Sequence, residues 1–390
     1  MINVGIDVAK NKHECCIVDG YGEILENSFT VANNKEGYEK LLSKIYKHVS
    51  DDERIKVGLE ATGHYTDNLL HYLYEKGFCI YLINPLQTDL YRKAMSLRKT
   101  KTDKIDAINI TKILLSGIDL KPYTQKSYQT SALKQLTRCR FATVHDRSRQ
   151  KVKFVKLVDI IFPELEEIVS DINCSTIYEL FSKYPSAEKI ARAHINTLCE
   201  LIRRVSRNRM SYEKIYKIHN AAKKSIGSSS VALSLELEHV ISIIKLYNIQ
   251  IEKLDLQIQE ALSKINTQIM SIPGIGPITG ASIIAEIGDI TLFSNADKIQ
   301  AFAGISPSTY QSGKLDNCGA HMEKRGSKFL RYSILVASRC VVMWDQKFKD
   351  YMNKKINEGK HYFVALSHVA KKLIRVIFAL EKKGEAYIIS

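Results

Sequence analysis

The chain has 390 residues, with 57 Lys+Arg against 42 Asp+Glu, a net charge of +15 and a pI of about 9.2. That length allows two or three domains with cores of their own, and 45% apolar with 25% charged residues excludes a mostly disordered chain. No apolar run reaches the ~18 residues of a membrane span, and Asp7 and Lys10 fall where an export signal would be apolar; a cytoplasmic protein with no membrane partner is expected.

The first stretch alternates strands and helices. Asn3–Val8, Glu14–Val18 and Ile24–Val31 read as short strands, with Asp19-Gly20 as a hairpin turn. A helix is expected over about 35–49, a strand over Ile55–Leu59 ending at Glu60, a helix over about 65–76 and a strand over Cys79–Ile83. Three antiparallel strands followed by βαβ units form a mixed sheet with flanking helices.

Residues 130–265 hold few Pro or Gly and read as mostly helical. Positions 237, 240, 244, 247, 251, 254, 258 and 261 form an a/d heptad seam. An exposed coiled coil or dimer arm is expected, although a buried helix stripe shows the same pattern. Ile226–Ser230 is the candidate linker before it. From Lys121 to Ser230 there are 21 Lys+Arg against 10 Asp+Glu. Most of the excess charge is concentrated there, which suggests a polyanion partner, while a solvated helix surface is the plainer alternative. The expected division is an α/β domain over 1–120, a basic helical linker with a coiled coil over 121–265, and a mostly α domain over 266–390. The eight cysteines form no CxxC pair and are expected to be buried free thiols.

Two constellations carry chemistry. Asp7 and Glu60 close apolar strands, and Asp103 and Asp106 share one helical face in Lys101-Thr-Asp-Lys-Ile-Asp106. Four carboxylates brought together repel unless a cation neutralises them, and hard oxygen ligands favour Mg²⁺ or Mn²⁺. Two such ions are a known clamp for phosphodiester displacement. Arg92, Lys93, Arg98, Lys99, Lys101 and Lys104 lie close in sequence and can hold phosphates.

The second constellation is C-terminal. Pro273-Gly274-Ile275-Gly276-Pro277 reads as a helix-hairpin-helix turn whose glycine N–H groups can meet a phosphate, or as a tight turn that binds nothing. Ser312 lies in a Gly-flanked loop followed by Lys314, Lys324, Arg325, Lys328 and Arg331. It is a candidate nucleophile if a cation or metal activates it, with Ser306, Ser308, Thr309 and Ser327 as competing hydroxyls.

Together these stretches resemble a known family. GIDVAK at 5–10, GLEATGHY at 58–65 and KTDKIDA at 101–107 resemble the N-terminal domain of the DEDD transposases of the insertion-sequence family one hundred and ten. SIPGIGPITGASIIAEIGD at 271–289, FAGISPSTYQSGK at 302–314 and KRGSKFLRYSILVAS at 324–338 resemble its C-terminal transposase domain. The resemblance implies a ribonuclease H-like (RuvC-like) N-terminal domain, a helical coiled-coil linker and a C-terminal helical domain. It implies that Asp7, Glu60, Asp103 and Asp106 bind Mg²⁺ or Mn²⁺ and that Ser312 forms a phosphoserine link to DNA. It further implies donor and target DNA as substrates, a structured guide RNA, and dimers that pair into a tetramer. The family often shows two serines before the loop glycine; here the first position is Gln311.

Three other readings use the same residues. A metal-dependent nuclease or Holliday-junction resolvase would use the acids with water as nucleophile. A sugar-kinase or actin-like ATPase shares the opening Gly-Ile-Asp, but no second Gly-rich phosphate loop is present. A non-catalytic nucleic-acid-binding protein leaves the four acids unexplained.

Overall fold

The computed structural model describes residues 1–49, 54–61, 63–95, 102–118, 120–306 and 322–388. They divide into two units, Met1–Tyr128 and Gln129–Ser390.

The first unit is built on β1 (Ile2–Val8), β2 (Lys12–Val18), β3 (Ile24–Ala32), α1 (Lys35–Tyr46), β4 (Ile55–Glu60), α2 (Tyr65–Glu75), β5 (Cys79–Ile83), α3 (Pro85–Met95) and α4 (Asp103–Leu115). The sheet order is β3-β2-β1-β4-β5. The first three strands are antiparallel, and β4 and β5 run parallel to β1. This is the mixed sheet expected from the sequence, with each strand extended by at most two residues at either end.

Period-two alternation sorts β1 onto two faces. Ile2, Val4, Ile6 and Val8 pack with Leu41, Ile45, Leu69 and Leu73 of α1 and α2. Gly5 faces α4 instead, where an added Cβ would lie 2.4 Å from the Ala107 carbonyl oxygen. Smaller clusters, Cys16 and Val18 with Ala107, and Ile83 with Ile110 and Ile113, fill that side. The sheet is thus sandwiched between two helical layers. Thr102 caps α4 by accepting from the Ile105 N–H at 3.3 Å, which sets where the helix begins.

The second unit is helical: α5 (Gln125–Ile161, beginning in the first unit), α6 (Leu165–Ile168), α7 (Ser175–Lys183), α8 (Ala187–Arg192), α9 (Ile195–Ser206), α10 (Tyr212–Lys223), α11 (Val231–Ser263), α12 (Pro277–Ile287), α13 (Ala296–Ala303), α14 (Lys328–Trp344), α15 (Gln346–Asn357) and α16 (Tyr362–Lys383). It has two cores. One gathers α12 to α16 with Leu133 of α5 and Ile258 and Leu262 of α11. The other gathers α6 to α10 with Phe154 and Val158 of α5 and Leu237, Val240 and Ile244 of α11.

The heptad seam therefore meets a helix of the same chain. Leu237, Val240, Ile244, Ile251 and Ile258 are buried, and Tyr247, Leu254 and Ala261 are half-buried. Three side-chain pairs fix the direction. Lys153 meets Glu236 at 2.7 Å, Arg147 Nη1 donates to Asn248 Oδ1 at 2.8 Å, and Arg140 Nη2 donates to Asp255 Oδ2 at 3.2 Å. Numbers fall along α5 as they rise along α11, so the two long helices are antiparallel.

Two expectations are corrected. Ile226–Ser230 is a loop, as its Gly and Ser residues imply, but it does not join two cores. Glu164 accepts from the Ser225 hydroxyl at 2.6 Å and from the Ile226 N–H at 2.9 Å, and the Ser228 N–H donates to the Ile160 carbonyl at 2.8 Å. Helices α10 and α11 on either side share one core. The cysteines are free thiols, but only Cys15, Cys16 and Cys199 are buried; Cys79 and Cys139 are exposed, Cys174 and Cys340 are half-buried, and Cys318 lies outside the described residues. Among the described residues no helix is long and apolar enough to cross a membrane.

Candidate functional site

Two glycine–x–acid steps build the acidic cluster. Gly5 and Gly58 are paired in the parallel β1–β4 register, and Ile6 pairs with Leu59. Asp7 and Glu60 follow as neighbours, each on the same face as the glycine two residues before it. A Cβ on Gly5 would also lie 2.8 Å from the Thr111 nitrogen, and one on Gly58 would lie 2.7 Å from Ile110 Cγ2. Without those side chains α4 settles directly on the two strands. Its first turn then carries Asp103 and Asp106 to the strand ends.

The electrostatics record the convergence. The Asp7 carboxyl is pushed up to about 7, first by burial and then by the negative charges of Glu60, Asp106 and Asp103, with a hydrogen bond shared with Glu60. Glu60 accepts from the Thr88 hydroxyl at 2.5 Å. Asp106 lies 3.8 Å from Arg92 Nη1. Arg92 also pairs with Asp89, as does Lys93 at 2.6 Å. Of the six bases expected to hold phosphates, Arg92 and Lys93 are thus engaged with carboxylates, and Lys104 is exposed. Thr88 and Asp89 escaped the sequence reading, because one polar residue on a helix carries no spacing signal of its own.

Among the described residues no three His, Cys, Asp or Glu side chains are drawn tightly enough to hold an ion alone. The cluster nonetheless fits a hard divalent cation in donor type and charge. All four side chains are carboxylates, and among the described residues only Asp106 has a cation within ion-pair distance.

Ser312, Lys314, Arg98, Lys99 and Lys101 lie outside the described residues. The two ends of the segment carrying Ser312 are tied together. The Glu323 N–H donates to the Ser306 carbonyl at 3.1 Å, and Arg331 Nη1 donates to the carbonyls of Ala303 at 3.0 Å and Lys324 at 3.2 Å. Arg331, expected to contact nucleic acid, thus clamps this stem. Lys324, Arg325 and Lys328 are exposed. Behind the stem, Ser327 caps α14 and donates to the buried Glu286 at 2.7 Å, which also takes Arg138 Nε at 2.6 Å.

At the Pro273–Pro277 turn, Gly274 has φ +90 and approaches the Cys340 backbone too closely for a Cβ, while Gly276 faces open space. The element before the turn is a single 3₁₀ turn, Ile269–Ser271, and α12 follows it.

Residues 4–163 match the DEDD transposase profile of the IS110 type, and residues 266–353 match the transposase profile of the IS116/IS110/IS902 family. Together they cover more than half of the sequence. The chain belongs to the IS110 family of transposases.

This transposase is 22% identical to the 44.8 kDa protein of insertion element IS116 from Streptomyces clavuligerus, over 97% of this chain and 94% of the relative. It is 22% identical to the pilin gene-inverting protein of Moraxella bovis, over 98% and 97%. The transposase of insertion sequence element IS1111A from Coxiella burnetii is 28% identical over 33% of this chain and 36% of that protein. Among solved structures, T. thermophilus RuvC in complex with a Holliday junction substrate aligns with 31% of this chain and 99% of its own, at 15% identity and a TM-score of 0.25. Family membership makes the transposase an enzyme that acts on DNA.

Proposed function

We propose that this transposase cuts and rejoins DNA at the ends of its insertion sequence through a ribonuclease H-like domain that binds divalent metal and a serine nucleophile. The observation that carries the reading is the meeting of Asp7, Glu60, Asp103 and Asp106 at the strand ends of β1 and β4. These four carboxylates would hold Mg²⁺ or Mn²⁺. Such an ion, when bound, polarises a phosphodiester and stabilises the charge that develops on it. Thr88 fixes one Glu60 oxygen and leaves the other to face the cluster. Arg92 orients Asp106.

Ser312 is assigned the nucleophile. Its hydroxyl loses a proton and its oxygen bonds to phosphorus, while the bond to the 3′ oxygen breaks and a 3′ hydroxyl leaves. Attack by a 3′ hydroxyl of another strand reverses the link and releases Ser312, so no ATP is consumed. Lys314, Lys324, Arg325 and Lys328, with Arg98, Lys99 and Lys101 on the N-terminal side, would contact phosphates. Gly276, open at the N-terminus of α12, suits a backbone contact of the helix-hairpin-helix kind. The charge of residues 121–230 supports binding of a structured guide RNA as well as donor and target DNA. Leu246, Ile249 and Leu256 remain 52%, 64% and 66% exposed along α11. That second apolar stripe supports a dimer, and a tetramer on DNA.

The test is covalent capture of a DNA substrate carrying the element's end. The wild-type chain should form a protein–DNA adduct that Ser312→Ala abolishes. Asp103→Asn and Asp106→Asn should each lower cleavage and act non-additively together. Cleavage without any adduct, unchanged by Ser312→Ala, would transfer the reading to a nuclease or Holliday-junction resolvase that uses water.

A further inference from the structure

The core formed by α6 to α10 falls between the two family profiles, which end at 163 and resume at 266. Helix α9 buries Leu198, Cys199, Leu201 and Ile202, and α10 buries Ile215, Ile218, His219 and Ala222. What remains outside is mostly basic and aromatic, with Glu200 and Glu213 as exposed acids. Arg204, Arg207 and Arg209 are exposed, Arg203 is half-buried, and Tyr212 and Tyr216 are 53% and 48% exposed. Four residues apart on α10, the two rings share one face. Among the described residues no carboxylate lies within ion-pair distance of the four arginines.

The turn between the helices organises this surface. Arg207 and Asn208 both adopt left-handed backbone, φ 52 and 61, which L side chains seldom do. The Asn208 N–H donates to the Arg203 carbonyl at 2.8 Å, and the Arg209 N–H to the Ser206 carbonyl at 3.1 Å. Asn208 Oδ1 in turn accepts from Arg203 Nε at 3.1 Å, which fixes the guanidinium 4.1 Å from the Tyr212 ring centre. The result is an Arg203–Tyr212 contact, with Tyr216 on the same groove. They line a groove of about 810 Å³ that also receives Lys183, Arg204 and one acid, Glu200. A second groove, about 570 Å³, shares the turn and takes Arg207, Arg209 and Lys214 against one acid, Asp171.

We propose that this pair of grooves is a binding site for single-stranded nucleic acid. Unpaired bases stack on the Arg203–Tyr212 pair and on Tyr216, and phosphates follow Arg204, Arg207 and Arg209 around the turn. Aromatic rings and guanidinium planes are stacking surfaces for splayed bases. A duplex keeps its base faces covered and has no use for the rings. An acidic peptide would engage the arginines and leave both rings without a partner. The inference rests on the reading of the chain as a nucleic-acid enzyme and gives the middle core a part in it.

The experiment is fluorescence anisotropy of the full-length chain with labelled oligouridine, labelled oligothymidine and a labelled blunt DNA duplex. Tyr212→Ala with Tyr216→Ala should weaken single-strand binding by roughly ten- to a hundredfold and leave duplex binding within about twofold. Phe at both positions should restore it, since stacking needs the ring and not the hydroxyl; this variant also separates recognition from a folding defect. Arg204→Gln should lower the slope of log affinity against log salt by about 0.7. Tighter oligouridine binding would assign the site to RNA, and tighter oligothymidine binding to displaced DNA. Single-strand affinity unchanged in the double Ala variant, or lost to the same extent as duplex affinity, overturns the site while leaving the transposase reading intact. A wild-type chain that binds none of the three probes overturns both.

Discussion

Gly5 and Gly58 lie opposite each other on adjacent parallel strands, and helix α4 occupies the space that both side chains would need. The contacts differ in kind. At Gly5 the obstacle is backbone, the Ala107 oxygen at 2.4 Å and the Thr111 nitrogen at 2.8 Å. At Gly58 it is the Ile110 and Leu114 side chains, which can rotate. Gly5→Ala should therefore cost about 2–3 kcal/mol and Gly58→Ala about 1 kcal/mol, the range for overpacked cores. Urea denaturation measures both. Because Gly5→Ala lifts the helix that carries Asp103 and Asp106, its strand cleavage should fall further than its stability. Equal losses in the two variants would mean that α4 shifts without disturbing the acids.

Asp7 gives a pH dependence with a definite sign. Its folded-state carboxyl sits at about 7 rather than at its ordinary value of 3.8, so between those values the native chain holds a proton that the unfolded chain has lost. Metal-free stability should fall as pH rises across this window, by about 2 kcal/mol once solvent screening of a partly exposed group is allowed for. Asp7→Asn should flatten the dependence. Mg²⁺ should raise the melting temperature more at about pH 8 than at about pH 5, where the site is protonated. A Mg²⁺ effect of equal size in Asp7→Asn would place the ion elsewhere.

Glu286 behaves in the opposite sense. Burial alone would raise its carboxyl, but hydrogen bonds from Arg138 and Ser327 outweigh it and hold the group below its usual range. Its stabilisation is full above the ordinary carboxylate value and is lost as pH falls through the lower folded one. Glu286→Gln should cost about 2–3 kcal/mol near neutral pH, at the lower end for a broken buried pair because Arg138 is 43% exposed and can hydrate. Acid unfolding followed by circular dichroism should show a shallower decline in the variant.

Arg331 separates structure from recognition. Arg331→Leu removes two hydrogen bonds to backbone carbonyls at the stem, and should lower stability by about 1–2 kcal/mol in the absence of DNA. A residue that only touched phosphate would leave stability unchanged and alter the salt dependence of DNA binding instead.

The strands of the first unit were legible because short β-branched runs bounded by turns have a period of two, and Asp7 and Glu60 were legible because charges rarely close apolar strands. What brings them to Asp103 and Asp106 was present in the sequence as Gly5-x-Asp7 and Gly58-x-Glu60, but a glycine two residues before an acid has meaning only once the strand register is known. The tertiary partners of Arg92 and Arg331 were hidden for a related reason. A basic residue looks the same in sequence whether it meets a phosphate, a carboxylate or a carbonyl, and only tertiary geometry distinguishes them. The heptad seam named the right residues but not their partner, since α5 lies about a hundred residues upstream in a stretch whose own apolar spacing is weak. The Glu286 site had no sequence signal, because its three members come from α5, α12 and the cap of α14.

The antiparallel run of α5 and α11 has a topological consequence. The polypeptide enters the middle core along one helix and leaves it along the other, so both crossings pass through one narrow neck, marked by Arg147 and Asn248. Everything beyond that neck is a single excursion of the chain. It can be exchanged, enlarged or trimmed to a short turn without changing where the chain re-enters the C-terminal core, much as a tool is changed on a fixed handle.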